Sequence, residues 1–337
     1  MITTTHNPAY RFIHLSKQDA FEHLAADIAA GLSASEKYIP YKYLYDAQGS
    51  ELFEKIARDP HYYPTRSETE ILSLYAAEIA GCLADDTALI ELGSGSAPNT
   101  RRLLEALLHR RGTALFCPID ISGDFLQESV KRLSMEYPNL HILGVIGDYY
   151  DGLAALEHEI QQPKLLLWLG SDIGHTDRLT AALLLREKML PTLKADDRLL
   201  LAIDLKKDAD VLHRAYGCTE EEDALRYSFN CNLLRRINRE LDGDFVPEQF
   251  KRFCFYNAEA GRVEIYLKSL IQQQVNLRAL DKRFNFKPGE LICLHRAYKY
   301  DRDDIRELAI DAGMTLERQW SDKKGWYSLN LFSVRTD

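Results

Sequence analysis

From about residue 86 to Asp204 the chain alternates short apolar runs with amphipathic segments, and this alternation constrains the fold more than any other feature. The runs "TALIELGSG", "ALFCPIDIS", "LHILGVIGDYY", "KLLLWLGSD" and "RLLLAIDL" have strand length. The intervening "TRRLLEALLHRR", "DFLQESVKRLSMEY" and "RLTAALLLREKML" carry apolar positions at helical spacing. Strands that alternate with helices join through right-handed crossovers into a parallel sheet. The pattern therefore predicts a doubly wound α/β domain with five parallel strands. After Arg302 the helical "DIRELAIDAG" precedes "TLERQWSD" and "WYSLNLFSV", two strands joined by the polar turn "DKKG". They predict a hairpin closing the same sheet.

Two segments do not fit the alternation. Residues 1 to about 80 read as mainly helical, with "SKQDAFEHLAADIAAGL" at helical spacing and "SELFEKIARD" starting from a serine cap. Residues 206 to about 300 predict a helix at "ALRYSFNCNLLRRINREL", a hairpin in "RFCFYNAEAGRVEIYLKSL" and a strand at "LICLHRAYKY". The expected division is residues 81–205 plus 301–337 as one domain, and 1–80 plus 206–300 as a smaller second one.

With 51 acidic against 42 basic residues the net charge is -9, and no long basic block is present, which argues against phosphate-backbone binding to nucleic acid. Cys82, Cys117, Cys218, Cys231, Cys254 and Cys293 lie far apart without C-x-x-C pairs, so reduced core thiols are expected and no metal site. The opening "MITTTHNPAYRFIHL" has no basic-then-apolar leader, and no run approaches the roughly 18 apolar residues of a membrane span. The expectation is a cytoplasmic protein that takes a small molecule.

In "ALIELGSGSAPNT" the strand runs into Gly93, Ser94 and Gly95 before a helix starting near Thr100. Glycine permits a tight turn and close approach of a ligand, although G-x-G also serves as a plain strand-to-helix turn. The next strand ends at Asp120, where an acidic side chain binds ribose hydroxyls. The third ends at Asp148 and Tyr149, suited to an adenine amino group and ring face. A dinucleotide needs a third glycine and a helix start open to pyrophosphate, but the loop continues Ser96-Ala97-Pro98-Asn99. S-adenosylmethionine carries adenine, ribose and an amino acid tail without phosphate, so Glu91, Asp120 and Asp148 are compatible with it. Methyl transfer is the chemistry this favours. The fourth strand empties into "GSDIGHTD", which places Gly170, Ser171, Asp172 and His175 at the mouth of the sheet.

Together with "YKYLYDAQGSELFEKIARDPHYYPTRSETEIL", "LLLAIDLKKD" and "INRELDGDF", these motifs resemble the histidine-specific Nα-methyltransferases of ergothioneine biosynthesis and the related domain of ovothiol synthases. The resemblance runs from about Tyr41 to the C-terminus, and its "YYPTR" and "GSDIG" blocks are far more specific than G-x-G. It implies a class I, Rossmann-like methyltransferase sheet with a smaller α+β substrate domain, and S-adenosylmethionine as donor. It implies that Gly93, Asp120, Asp148 and Tyr149 contact the cofactor; Glu91, Ser94, Gly95 and Gly170 complete the expected cofactor set. Tyr45 and Tyr62 fall in its substrate pocket, with Tyr63 in support, and Tyr216 and Phe229 match pocket positions, although either is equally a core residue. A phenol offers a ring face to a developing cation and a hydroxyl to an amine. Tyr62 and Tyr63 precede Pro64, which favours an extended backbone.

The chain departs from the resembled family at two recognition sites. The family loop reads G-S-x-I-G-N, with its Asn on the amino acid's backbone end; here that position is His175. A Glu and a Ser that recognise the substrate's imidazole align with His295 and Ala297, anchored on Lys299. Losing the carboxylate removes a partner for an imidazolium. The expected activity is N-methylation of a small amino acid or amine other than free histidine. Tyr45 and Tyr62 would position the nitrogen, Asp172 and His175 would meet the polar head, and His175 would accept a proton. His175 also suits a helix cap or a solvent-facing site, and His295 a structural role. Methylation of a ring nitrogen or oxygen of a histidine-derived or aromatic metabolite stays open, as does a lapsed sensor of S-adenosylmethionine or a metabolite.

Overall fold

The computed structural model describes residues 3–7, 9–15, 17–95, 99–219 and 223–335. The expectation drawn from Ser96, Ala97 and Pro98 lies outside these described residues. The chain opens with strands β1 (Thr3–Asn7) and β2 (Tyr10–His14), followed by helices α1 (Lys17–Ser33), α2 (Ala47–Ala57) and α3 (Tyr63–Gly81). Alternation then begins with β3 (Ala88–Leu92), α4 (Thr100–Arg111), β4 (Ala114–Asp120), α5 (Gly123–Glu136) and β5 (Leu140–Ile146). It continues through α6 (Tyr149–Leu156), β6 (Lys164–Trp168), α7 (Arg178–Leu184) and β7 (Arg198–Asp204). Helices α8 (Ala209–Tyr216) and α9 (Ala224–Leu241) lead into strands β8 (Phe250–Asn257), β9 (Arg262–Ser269), β10 (Gln273–Leu277), β11 (Lys282–Phe286) and β12 (Leu291–Tyr298). Helix α10 (Arg302–Asp311) and strands β13 (Met314–Ser321) and β14 (Tyr327–Val334) close the chain.

Two compact units result. The larger comprises Met1–Ser16, Pro64–Lys206 and Lys299–Asp337, and the smaller Lys17–Tyr63 and Lys207–Tyr298. This differs from the expected division, because β1 and β2 extend the large sheet and most of α3 packs with it. The order is β1-β2-β5-β4-β3-β6-β7-β14-β13 among the described residues. Strands β2, β5, β4, β3, β6 and β7 run parallel, so β2 adds a parallel strand to the five expected. Its "YRFIH" is short and interrupted by Arg11, which hides it from periodicity alone. Every residue of β3 and β6 is buried, as in a sheet covered on both faces. Strand order reverses beside β3, and ligands of such sheets bind where the strand ends diverge at that switch point. The expected single helix to Leu190 instead ends at Leu184 and passes into a π turn, Leu185–Met189.

In the smaller unit, Asp46 rather than the expected serine caps α2, its Oδ1 accepting the Gly49 N–H at 2.8 Å. Asp223 caps α9 in the same way, accepting from Arg226 N–H at 2.9 Å. The apolar face of α9, with Leu233, Leu234 and Ile237, packs with Leu24, Ile28 and Phe250 into one core. Strands β12, β9 and β8 form an antiparallel sheet, and β10 pairs with β11 in a hairpin the sequence did not announce.

The expectation that all cysteines are free thiols is corrected at one pair. Cys218 and Cys254 are disulfide-bonded, with Cα atoms 4.8 Å apart, whereas Cys82, Cys117 and Cys293 are thiols. The partners are 36 residues apart, and only the packing of β8 against the end of α8 brings them together, so spacing carries no signal. Closing a loop of this length contributes about 2–4 kcal/mol by restricting the unfolded chain. Reductant is therefore expected to lower the melting midpoint, Cys218→Ser to reproduce the drop, and reductant to add nothing further to that variant. An identical midpoint with and without reductant would show that the pair is not bonded in solution.

Candidate active site

Strand β3 carries Glu91 to the switch point and turns at Gly93 and Gly95, whose φ angles are 66° and 51°. A Cβ at Gly93 would stand 2.5 Å from the Tyr149 hydroxyl, so both conformation and packing demand glycine there. At the end of β4, Asp120 fixes the turn: its Oδ2 accepts the Gly95 N–H at 2.9 Å and its Oδ1 the Ser122 N–H at 2.8 Å. Asp148 caps α6 by accepting from Tyr150 N–H at 3.1 Å. The Tyr149 ring meets Trp168 edge-on at 6.5 Å. Sequence reasoning misses Trp168, which reads as one more apolar residue of a buried strand.

Glu91 and Ser94 are enclosed. The Thr100 hydroxyl donates to Glu91 Oε1, whereas Glu91 Oε2 and Ser94 Oγ have no hydrogen-bond partner among the described residues. Burial pushes the Glu91 carboxyl up to about 8, against the Thr100 hydroxyl and with the Glu68 and Asp120 carboxyls adding to the rise. Burial also raises Asp120, despite the Ser122 and Gly95 amides that favour its charge. Buried polar atoms are ordinarily paired. Two unpaired oxygens beside a positive-φ turn and a cluster of carboxyls therefore suit a ligand that brings hydrogen-bond donors and positive charge.

After β6 the backbone enters the left-handed region at Gly170 (φ 73°) and Ser171 (φ 59°) and forms a single 3-10 turn, Asp172–His175. Gly170 N–H donates to Glu68 Oε2 at 2.8 Å, and Ser171 Oγ accepts from Asp204 N–H at 2.9 Å. Asp172 is clasped on both oxygens: Trp168 Nε1 donates to Oδ2 at 3.1 Å, and His175 Nε2 lies 3.2 Å from Oδ1. The His175 side chain is only 12% exposed, and Asp177 caps α7, so His175 is neither a helix cap nor a solvent-facing residue. Lys299 and Asp204 form a buried pair at 2.6 Å beside this loop's anchor.

In the smaller unit the expected pocket residues form a continuous run of rings. Tyr45 meets Phe53 at 5.4 Å and Phe229 at 5.7 Å, Phe53 meets Tyr62 at 6.0 Å, and Tyr62 meets Tyr216 at 6.1 Å. Tyr216 then meets His295 at 6.5 Å, and His295 stacks on Tyr41 at 6.4 Å. Ala297 is buried opposite Val263. Phe53 and Tyr41 are the members that sequence reasoning misses, since each also fits an ordinary amphipathic segment. Asp46 follows Tyr45 and is tied to Asn232 and Arg239, while the Tyr62 N–H donates to the carbonyl of Asp59, whose carboxylate accepts from Arg226. Tyr63 does not take the extended form expected before Pro64: it opens α3, with Pro64 in the first turn, where a missing N–H is harmless. Its hydroxyl accepts from Lys207 Nζ at 2.8 Å.

Glu91, Gly93, Ser94, Gly95, Asp120, Asp148, Tyr149, Gly170, Asp172 and His175 thus belong to the larger unit, and Tyr45, Tyr62, Tyr216, Phe229, His295 and Ala297 to the smaller. A family profile described as "Histidine-specific methyltransferase, SAM-dependent" matches residues 24–334. The chain belongs to this family. It is an S-adenosylmethionine-dependent methyltransferase, and several of its relatives are named N-methyltransferases. The histidine N-alpha-methyltransferase of Mycolicibacterium smegmatis is 35% identical over 318 residues, covering 94% of this chain and 97% of that one. The 4-dimethylallyltryptophan N-methyltransferase of Claviceps purpurea is 28% identical over 335 residues, 94% of this chain and 96% of that one. The L-tryptophan methyltransferase of Psilocybe serbica is 27% identical over 335 residues, 91% and 92% of the two chains. Among the described residues no group of three or more His, Cys, Asp or Glu is placed to hold a metal ion, and no helix is long and apolar enough to cross a membrane.

The residues of the larger unit fit S-adenosylmethionine: Glu91 Oε2 and Ser94 Oγ, without a partner among the described residues, can accept donors beside the positive-φ turn at Gly93 and Gly95. A carboxyl that holds its proton up to about pH 8 must release it before it pairs with a cation. Cofactor affinity is therefore expected to rise between about pH 6 and 8, on the order of tenfold per pH unit at most. Calorimetry in buffers of different ionisation enthalpy should register about one proton released per cofactor bound. Glu91→Gln is expected to flatten this dependence, and a wild-type affinity independent of pH would remove Glu91 from the cofactor's cationic end.

Proposed function

We propose that this enzyme methylates the α-amino nitrogen of an amino acid whose side chain is a flat ring, and that free histidine is not its preferred acceptor. The observation that carries this reading is the run of rings ending on His295, where the resembled histidine enzymes carry a glutamate for the substrate's imidazole. Ring edges and faces favour a flat apolar side chain, and an imidazole accepts from, or donates to, a polar atom on that ring. Ala297 offers only a methyl where the family's serine offers a hydroxyl. The relatives named for tryptophan and 4-dimethylallyltryptophan support a ring-bearing acceptor. A second reading, free histidine itself, is favoured by the 35% identity to the Mycolicibacterium smegmatis enzyme.

When bound, S-adenosylmethionine supplies an electrophilic methyl group on its sulfonium. The chain's task is to hold the amine lone pair in line with it and to exclude water. Tyr45 and Tyr62 orient the nitrogen, and Asp172 and His175 hold the acceptor's polar head. An α-amino group is mostly protonated at about pH 7, so most of the acceptor must lose a proton before its lone pair can attack. His175 takes that proton, and Asp172, 3.2 Å from its Nε2, stabilises the imidazolium that forms.

A mass-spectrometric panel of amino acids, with fragmentation locating the added methyl, tests the reading. The expected result is a higher kcat/KM for an indole- or phenol-bearing acceptor than for histidine, with the methyl on the α-nitrogen; histidine as the best acceptor would overturn it. Installing His295→Glu together with Ala297→Ser is expected to raise kcat/KM for histidine by about tenfold or more, the worth of one charged hydrogen bond. His175→Asn is expected to remove the acidic limb that a proton-accepting imidazole imposes on the kcat profile. A variant profile of unchanged shape would exclude that role.

A further inference from the structure

Helix α3 of the larger unit carries three consecutive polar residues, Ser67, Glu68 and Thr69, and each reaches a different part of the chain. Ser67 Oγ donates to Asp322 Oδ2 at 3.3 Å, and Thr69 Oγ1 donates to Asn99 Oδ1 at 2.5 Å. Between them, the Glu68 carboxyl is 4% exposed and collects three donors. Gly170 N–H reaches Oε2 at 2.8 Å, Tyr327 hydroxyl reaches the same oxygen at 2.9 Å, and Asn99 Nδ2 reaches Oε1 at 2.8 Å. Burying a carboxyl is costly unless its oxygens are satisfied, and an apolar side chain would fill the same space without that cost. The position therefore serves something other than packing.

What it joins indicates the task. Asn99 precedes Thr100, whose hydroxyl holds Glu91, so this arm reaches the cofactor turn. Gly170 opens the left-handed corner that sets the Asp172–His175 turn, so that arm reaches the residues assigned to the acceptor's polar head. Tyr327 begins β14, whose start is fixed by Asp322 accepting from the Trp326 and Tyr327 N–H groups at 2.7 and 2.8 Å.

We infer that Glu68 is a positioning residue for methyl transfer, its carboxyl holding the Gly170 peptide and the Asn99 side chain in one fixed relation so that the Asp172–His175 turn keeps its register with the cofactor turn. Glu68 touches neither reactant; it acts through the two loops. The inference rests on the roles proposed above for Asp172 and His175. An in-line displacement tolerates little error in the placement of the nucleophile, and a misplacement of about 1 Å lowers the rate by about a hundredfold.

Glu68→Ala removes every acceptor, while Glu68→Gln keeps an oxygen for Gly170 and Tyr327 and turns an amide toward Asn99, whose own amide can flip to meet it. The expected result is that Glu68→Ala lowers kcat by about a hundredfold. Binding of S-adenosylhomocysteine by calorimetry is expected to stay within about threefold, and Glu68→Gln to recover kcat to within about tenfold of wild type, with folding checked by melting in each case. A folded Glu68→Ala enzyme with wild-type kcat, or a folded Gln variant as slow as the Ala variant, would overturn the positioning role. If Glu68→Ala does not fold, Tyr327→Phe removes one donor from the same carboxyl. A fall in its kcat without loss of product affinity supports the inference, and wild-type kcat in a folded Tyr327→Phe enzyme overturns it. Asp172→Asn and His175→Ala run alongside: acceptor KM and kcat unmoved in both would refute the assigned roles of that turn, whereas a change there with none in the Glu68 variants refutes only the positioning role.

Discussion

Buried carboxyls at the divergent ends of a parallel sheet are the constraint on which the larger unit depends. Glu68, Glu91 and Asp120 are each less than a tenth exposed, and Glu91 feels the other two. Withdrawing a carboxylate from water costs several kcal/mol even after relaxation, so each must find donors or hold a proton. Asp120 takes backbone amides of the glycine turn and of Ser122, Glu68 takes a backbone amide, an amide side chain and a phenol, and Glu91, among the described residues, takes only Thr100. The compensation is graded, and the least compensated oxygen is the one beside the turn where a ligand approaches the backbone. That asymmetry suits a ligand that brings a cationic group and hydrogen-bond donors to the open oxygen. Full internal satisfaction would stabilise the ligand-free protein and leave less to gain on binding.

Much of this architecture was legible because it is local. The strands at Ala88–Leu92, Ala114–Asp120, Leu140–Ile146, Lys164–Trp168 and Arg198–Asp204 announce themselves as apolar runs, and helix Ala224–Leu241 by its spacing. The elements that were not legible depend on partners far away in the chain. Strand Tyr10–His14 is recognisable only beside Leu140–Ile146, whose edge it covers. Helix Tyr63–Gly81 packs Ile71, Leu72 and Ile79 into the larger unit's core and adds hydrogen bonds from Ser67, Glu68 and Thr69, whose partners lie far away in the chain. The same limit applies at the site. Asp120 and Gly93 stand out because strand ends and glycines have a positional meaning, whereas Trp168 and Phe53 take their roles from neighbours that no spacing rule reveals.

In the smaller unit, the end of helix Ala209–Tyr216 is tied to the strand that pairs, through Arg262–Ser269, with the one carrying His295 and Ala297. Helix Ala209–Tyr216 ends at Gly217, and carbonyls there would lack partners. Arg226 Nη2 donates to Ala215 O at 2.7 Å, while Arg252 donates to Tyr216 O at 2.6 Å and Gly217 O at 2.8 Å. Holding Arg252 there is costly: desolvation, and then Arg226, push it down to about 10, still far above neutral pH. The Cys218–Cys254 bridge fastens the next residue to the same strand that carries Arg252. Tyr216 is therefore clamped through its backbone on both sides, which fixes the point from which its ring extends. His295 sits across from Ile265, which also pairs with Cys254, so these residues occupy one row of the sheet. Ala297 lies in a different row, opposite Val263, which pairs with Tyr256. The arginine latches and the bridge hold the backbone beside these rows, so a substitution at His295 or Ala297 changes side-chain chemistry against a fixed frame.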